Sequence, residues 1–246
     1  MTETTTTGRR VLVTGGGSGI GRAVARAFAA AGERVTICGR HADALAETDG
    51  GRGIAARIAD VTDEAQVVAM FDLPFDVVVA NAGIGKYGKI EATSLALWNQ
   101  TLAVNLTGVF LTFREALRGM QAGGRLIAVG STASLMGEAV IPAYAAAKHG
   151  LLGLVRSVAL DVAGRGITCN AVCPGFVATP LSDRAAEDLM ARYKIPRAEA
   201  EAMLYRSNPV GRMITPEEVA GAVLYLASSG AAMVNGHALA VSGGEV

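Results

Sequence analysis

Short β-branched runs alternate with Ala-rich helical stretches along nearly all of this 246-residue chain, and that alternation leaves few folds open. Val11–Thr14, Arg34–Cys38, Ile54–Ala59, Asp76–Ala80, Arg125–Gly130, Ile167–Val172 and His237–Val241 read as strands. Most are continuous apolar runs, the pattern of strands buried on both faces. Ile20–Ala31, His41–Glu47, Glu64–Phe71, Leu95–Arg118, Ala143–Ala163 and Pro216–Leu226 read as helices. Thr215 is the predicted cap of the last one, with Pro216 at its first position. Strands that each hand over to a helix predict a parallel sheet covered on both sides, with right-handed crossovers. The chain therefore reads as one α/β domain, a doubly wound parallel sheet of seven strands. No linker rich in Pro or Ser and no internal repeat interrupts it. Leu181–Arg206 stands apart, being polar and charged with few strand formers. It follows a strand's carboxyl end, where ligands bind in such sheets, so a substrate lid is predicted over 181–206.

Composition narrows the class. Hydrophobic residues make up 51% and charged residues 18%, which excludes a disordered chain. Lys+Arg and Asp+Glu are both 22, so no basic face is implied and a nucleic-acid partner is not expected. No apolar run reaches the roughly 18 residues of a membrane span. Met1–Arg10 is Thr-rich and polar, without the apolar stretch of a secretory signal. Cys38, Cys169 and Cys173 are too few and too irregular for a disulfide framework or a metal site. The expectation is a soluble cytoplasmic protein with reduced thiols and no metal.

The first strand runs into Thr14-Gly15-Gly16-Gly17-Ser18-Gly19-Ile20-Gly21, and a helix follows. The spacing is T-G-x-x-x-G-x-G rather than G-x-G-x-x-G. Glycines let the backbone turn tightly and approach a pyrophosphate, and the helix N-terminus offers it free N–H groups. Gly15, Gly17, Ser18, Gly19, Ile20 and Gly21 are thus predicted to bind a dinucleotide. Strand two ends Ile37-Cys38-Gly39-Arg40-His41. Where an acid would bind the ribose hydroxyls there is glycine, and Arg40 can pair with a 2′-phosphate. NADP(H) is favoured on this ground, and NAD(H) stays open. Asp60-Val61 is predicted to meet the adenine, and Asn81-Ala82-Gly83 to let backbone approach the cofactor.

Tyr144 and Lys148 lie four residues apart on a predicted helix and share one face. A tyrosine, with an ordinary pKa of about 10, is a poor acid–base catalyst at neutral pH. A lysine ammonium one turn away is expected to lower that value, as is the helix N-terminus marked by Pro142. Ser131 follows the fifth strand, where its hydroxyl can bond a substrate oxygen. His149 points off this face and reads as structural.

These features, in order with Asn105 and Pro174-Gly175, resemble the short-chain dehydrogenase/reductase family in its compact form, from Val11 to Gly244. The resemblance implies a Rossmann-type sheet of strand order 3-2-1-4-5-6-7. It implies hydride exchange between a nicotinamide cofactor and a ketone or secondary alcohol. The implied catalytic tetrad is Asn105, Ser131, Tyr144 and Lys148, with Ser134 second to Ser131. Asn105 matches the residue that holds a water near the lysine, and Lys148 also matches the ligand of the nicotinamide ribose. Pro174-Gly175-Phe176-Val177-Ala178-Thr179 matches the loop meeting the carboxamide, through the Val177 backbone and the Thr179 hydroxyl. Ala80 departs from a frequent asparagine, and the Glu47–Asp76 region is short. The family implies a homotetramer built through the long helices, with a dimer next. Leu151, Leu152, Leu154, Val155, Val158 and Leu160 fit such a helix covered on two sides.

Lys148-His149-Gly150 and Asn170–Val177 resemble 3-oxoacyl and polyketide ketoreductases of the family. Hydroxyacyl-thioesters, cyclic alcohols and sugars stay open as substrates. Met136, Glu138, Ile141, Phe176 and Leu181–Tyr205 are expected on the substrate side. Extended-family epimerases carry a further substrate domain, and enoyl reductases space Tyr and Lys more widely. A nucleotide sensor without catalysis would lose a tetrad residue.

Overall fold

The computed structural model describes residues 8–246; the polar tail read as signal-free lies, up to residue 7, outside the described residues. Seven strands form one parallel sheet in the order β3-β2-β1-β4-β5-β6-β7. They are β1 Arg10–Thr14, β2 Arg34–Gly39, β3 Ala55–Ile58, β4 Val77–Ala80, β5 Arg125–Val129, β6 Thr168–Pro174 and β7 Ala238–Val241. The order is the one the resemblance implied. The central strands are buried throughout, which is why their sequences are continuously apolar. β3 is an edge strand, three of its four residues are exposed, and its sequence signal is correspondingly weak.

Helices cover both faces. Gly19–Ala30 (α1), Ala42–Asp49 (α2) and Pro216–Ala227 (α9) serve one side. α1 and α9 pack there on β1, β2, β4, β5 and β6 around Phe28, Ile37, Ile127, Val172 and Leu226. Glu64–Ala69 (α3), Leu95–Leu102 (α4), Gly108–Gly119 (α5) and Pro142–Val162 (α6) serve the other, around Phe113, Leu126, Leu151, Val155 and Ile167. The core is thus two apolar layers either side of the sheet, as the doubly wound pattern requires.

One region differs from the sequence reading, and a second gains definition. The long helix predicted over 95–118 is broken by a π turn at Ala103–Thr107, which separates α4 from α5. Extra-wide turns of this kind have no sequence period of their own and occur at functional sites. The 181–206 segment is a helix pair, Pro180–Tyr193 (α7) and Arg197–Leu204 (α8). It has a small core of its own, Ala185, Ala186, Ala200 and Leu204, on which Phe176 and Met213 pack. Along α6 the outward Leu160 is 82% exposed, while Leu154 and Val158 are half-buried.

Candidate active site

All seven strands end at one sheet edge, and a cleft of about 420 Å³ opens there. It runs from the β1–α1 loop past the end of β4 to the α7 side. Gly15, Gly17, Ser18, Gly19 and Ile20 line one end, with Arg40, Asp60 and Val61. Asn81, Ala82, Gly83 and Asn105 lie midway, and Ser131, Glu138, Ile141, Tyr144 and Lys148 follow. Pro174, Gly175, Phe176, Val177 and Thr179 face them.

The glycine loop is built by close approach. Gly15 has φ +65°, and a Cβ there would lie 2.8 Å from the Ala82 Cα. Thr14 Oγ1 accepts from the N–H groups of Asn81 and Ala82 at 3.0 and 3.1 Å, tying β1 to the end of β4. Thr48, buried on α2, donates to the Gly16 carbonyl at 2.9 Å. Arg22 donates to the Gly17 carbonyl at 2.6 Å and pairs with Glu47. Ser18 caps α1 without a side-chain hydrogen bond, and the first turn holds no acid. The first N–H groups of α1 therefore open into the cleft, and Gly17, Ser18 and Gly19 border that opening without a large side chain. This arrangement fits the diphosphate of a dinucleotide. Arg40 is exposed at the same end, and its charge reaches Asp60.

Two predicted cofactor residues are also engaged within the protein. Gly21 does not line the cleft; a Cβ there would sit 2.3 Å from the Gly15 carbonyl oxygen, so glycine is needed for packing. The Asn81 amide is committed to the Thr14 and Gly15 carbonyls at 2.9 and 3.2 Å, leaving it a bracing role. Of the substrate-side residues, Met136 is 41% exposed and outside the cleft, because its loop turns it outward.

Asn105 is fully buried inside the π turn. Its amide donates to the Ile84 and Thr101 carbonyls, both at 2.9 Å, and its Oδ1 accepts from Ile84 N–H at 3.2 Å. The side chain thus pins the loop after β4 to the helix pair. Gly83 has to be small, because a Cβ would meet Asn105 Oδ1 at 2.9 Å.

Ser131 caps a short 3-10 turn after β5, its Oγ accepting from Ala133 N–H at 3.2 Å. Ser134 is buried and accepts from Ser131 N–H at 3.2 Å, so it braces the turn. Lys148 is buried and donates to the Val129 carbonyl at 2.7 Å. Its ammonium lies 5.5 Å from the centre of the Tyr144 ring. Burial lowers the Lys148 pKa to about 8. Burial also pushes the Tyr144 hydroxyl up to about 12, only partly offset by a hydrogen bond with Ser131. This corrects the expectation that Lys148 lowers the tyrosine pKa. In the protein alone the ammonium is held by Val129, and desolvation of the phenol dominates. Tyr144 is therefore a protonated donor at neutral pH, beside a serine that can share the acceptor oxygen.

Several residues escaped the sequence reading. Thr48 and Arg22 hold the glycine loop. Lys86 and Tyr87 line the substrate end of the cleft, with Arg184 of the segment already expected there. Val140 has φ +61°, a costly conformation for a β-branched residue, and its carbonyl accepts from Gly88 N–H at 2.7 Å. Only Gly-rich stretches signal such backbone in a sequence, and here the position is valine.

The chain is similar to known proteins over nearly its whole length. The family profile described as enoyl-(acyl carrier protein) reductase matches residues 15–245. A D-beta-hydroxybutyrate dehydrogenase of Cupriavidus necator is 36% identical, covering 97% of this chain and 98% of that protein. A cis-4-hydroxycyclohexanecarboxylate dehydrogenase of Sinomonas cyclohexanicum is 38% identical, covering 96% of each chain. A crystal structure of a single-substitution variant of actinorhodin polyketide ketoreductase with NADPH matches with a TM-score of 0.90 and 35% identity, over 98% of both chains. The chain belongs to the short-chain dehydrogenase/reductase family. It is an oxidoreductase that interconverts a ketone and a secondary alcohol with a nicotinamide cofactor.

Proposed function

We propose that this enzyme is an NADP(H)-dependent ketoreductase acting on a 3-oxoacyl thioester. The observation that carries the reaction type is the convergence of Ser131, Tyr144 and Lys148 on one cleft whose far end is the glycine loop. Tyr144 and Lys148 stand one helical turn apart, closer than enoyl reductases space them, which favours carbonyl chemistry. The relatives named above act on hydroxy acids and polyketide ketones, and the short Lys148-His149-Gly150 and Asn170–Val177 segments resemble ketoreductases.

In this reading Gly15, Gly17, Ser18, Gly19 and Ile20 hold the diphosphate. Arg40 binds the 2′-phosphate, Asp60 and Val61 border the adenine, and Lys148 binds the nicotinamide ribose. Ala82 and Gly83 bring backbone close to the cofactor, and Pro174, Gly175, Val177 and Thr179 flank the carboxamide. The bound nicotinamide supplies hydride to the carbonyl carbon or takes it from the alcohol. Ser131 holds the carbonyl oxygen, and Tyr144 gives it a proton or, in reverse, takes one. Lys148 stands one helical turn from Tyr144 with its ammonium on the Val129 carbonyl, and Asn105 fixes the helix turn beside it. Ile141 and Phe176 give the substrate side its apolar walls, and the α7–α8 pair acts as a lid over it. The exposed Leu160 and half-buried Val158 on α6 support burial against further copies in a homotetramer, with a dimer next. The described residues contain no helix long and apolar enough to cross a membrane, and a cytoplasmic location fits the three thiols.

Initial rates of NADPH and NADH oxidation with acetoacetyl-CoA test this reading. Turnover with a clear preference for NADPH is expected. Turnover confined to cyclic ketones would favour the alternative raised by the cyclohexanecarboxylate dehydrogenase relative. Equal use of both cofactors would remove the role given to Arg40.

A further inference from the structure

Two loops wall the substrate end of the cleft. One follows β4 and brings Ile84, Gly85, Lys86 and Tyr87 to it; the other precedes α6 and brings Glu138 and Ile141. Among the described residues a single hydrogen bond joins these loops, from the Gly88 N–H to the Val140 carbonyl at 2.7 Å. Val140 makes it with φ +61°, a conformation that a β-branched residue keeps only where surrounding structure enforces it. The next residue, Ile141, caps α6, and Tyr144 follows in the first turn. The backbone at Val140 thus sets both the direction of its carbonyl and the entry into the helix that carries Tyr144.

The loop after β4 is anchored twice. At its start Ile84 exchanges hydrogen bonds with the buried Asn105 side chain, at 2.9 and 3.2 Å. Further on, Gly88 is tied to Val140. Between these anchors Gly85 stands against the reacting group: a Cβ there would lie 4.0 Å from Tyr144 Cδ2 and 3.7 Å from Leu181 Cδ1. The backbone of this loop therefore bounds the space beside the Tyr144 ring, and the bond to Val140 keeps it from swinging away.

We propose that Val140 is a positioning residue that sets substrate width: its strained backbone latches the loop after β4 over Tyr144, and the closed latch favours ketones unbranched next to the carbonyl over branched ones. This rests on the ketoreductase reading and sharpens its substrate class. A packed wall separates substrates that differ by one carbon by about tenfold or more, and a wall that can yield does not.

Three variants test the latch. Gly88→Pro removes the N–H donor. Gly88→Ala keeps it and has room, since the nearest atom to its Cβ is Thr93 Oγ1 at 3.8 Å. Val140→Gly keeps the carbonyl but frees the backbone. Hydrogen exchange of the Gly88 amide, followed by NMR, reads the bond without any substrate. Slow exchange is expected in wild type, and exchange at least about tenfold faster in Val140→Gly. Two matched pairs with NADPH read the consequence: ethyl acetoacetate against ethyl 2-methylacetoacetate, and cyclohexanone against 2-methylcyclohexanone. Wild type is expected to prefer the unbranched member by about tenfold in kcat/KM. Val140→Gly and Gly88→Pro should lower that ratio at least about threefold, mainly through KM, while Gly88→Ala keeps it within about twofold. The Tm of Val140→Gly should stay within about 3 °C, because relief of the strained φ offsets the freedom glycine adds to the unfolded chain. An unprotected Gly88 amide in wild type, or a fall in Tm with an unchanged ratio, would overturn the latch. Turnover of ethyl acetoacetate with a wild-type ratio near one would overturn the width rule and leave the ketoreductase reading standing. Turnover of the cyclic pair alone would overturn the thioester reading, and a ratio lowered by Val140→Gly in that pair would still support the latch. No turnover of any of the four would overturn the width rule.

Discussion

The two ends of the cleft are built differently. The glycine-loop end is a lattice of side-chain-to-backbone contacts: Thr14, Thr48, Arg22 and Asn81 all bond carbonyls or N–H groups of β1, its loop or the start of β4's loop. Three glycines there have no room for a side chain. The substrate end is made of two loops and a helix pair whose apolar cluster is separate from the main core. Its ion pairs, such as Arg197 with Glu201, are exposed and add little stability. A region whose backbone groups are each held by a specific side chain, with no room at its glycines, tolerates little change. One held by exposed side chains can vary its surface without losing the fold.

The chemistry between the two ends gives the largest expected effect. Tyr144→Phe should lower kcat by roughly a thousandfold, within the range for losing a general acid. NADPH affinity, measured by fluorescence titration, should change less than about threefold. Retained turnover would remove the proton-donor role.

Next comes the cofactor end. Arg40→Ala should raise the KM for NADPH about tenfold or more and leave NADH within about twofold, the loss of one charge-assisted phosphate contact. Equal effects on both would make Arg40 a surface residue.

The contrast itself is sharpened by two paired variants. Gly21→Ala places a methyl 2.3 Å from the Gly15 oxygen and should cost about 1–3 kcal/mol, a fall of roughly 2–12 °C in Tm. Leu204→Ala, in the cluster of the α7–α8 pair, should raise KM for the ketone more than it lowers Tm. A larger Tm loss for Leu204→Ala would erase the difference between the two ends.

The smallest effect is alkaline. Burial raises the Cys38 pKa from 9.0 to about 12, so the folded chain keeps a proton that the unfolded chain gives up. Its contribution is complete below pH 9 and is lost as pH climbs towards about 12. Cys38→Ala should therefore flatten the fall of Tm above pH 9, measured by calorimetry from about pH 8 to 11.

The same contrast explains what the sequence made legible. Strands buried on both faces must be apolar throughout, so β1, β4, β5 and β6 could be read directly. The T-G-x-x-x-G-x-G loop was legible because tight turning and ligand approach both demand glycine. For that same reason Gly21, which packs, looked like Gly19, which borders the cleft. Tyr144 and Lys148 were legible as a pair through helical spacing, but their pKa directions were not, since burial is a property of the fold. The π turn around Asn105 and the positive φ of Val140 depend on contacts between distant segments. No local pattern announces them.

The central claim is that this cleft reduces a ketone rather than only holding a nucleotide. NADPH deuterated at C4 on the transferred face, mixed with acetoacetyl-CoA, tests it by mass spectrometry of the product. The account predicts 3-hydroxybutyryl-CoA carrying one deuterium at C3, formed by wild type and nearly absent with Tyr144→Phe. Saturable NADPH binding with no deuterium in any product, from this ketone or the cyclic ones, would contradict it.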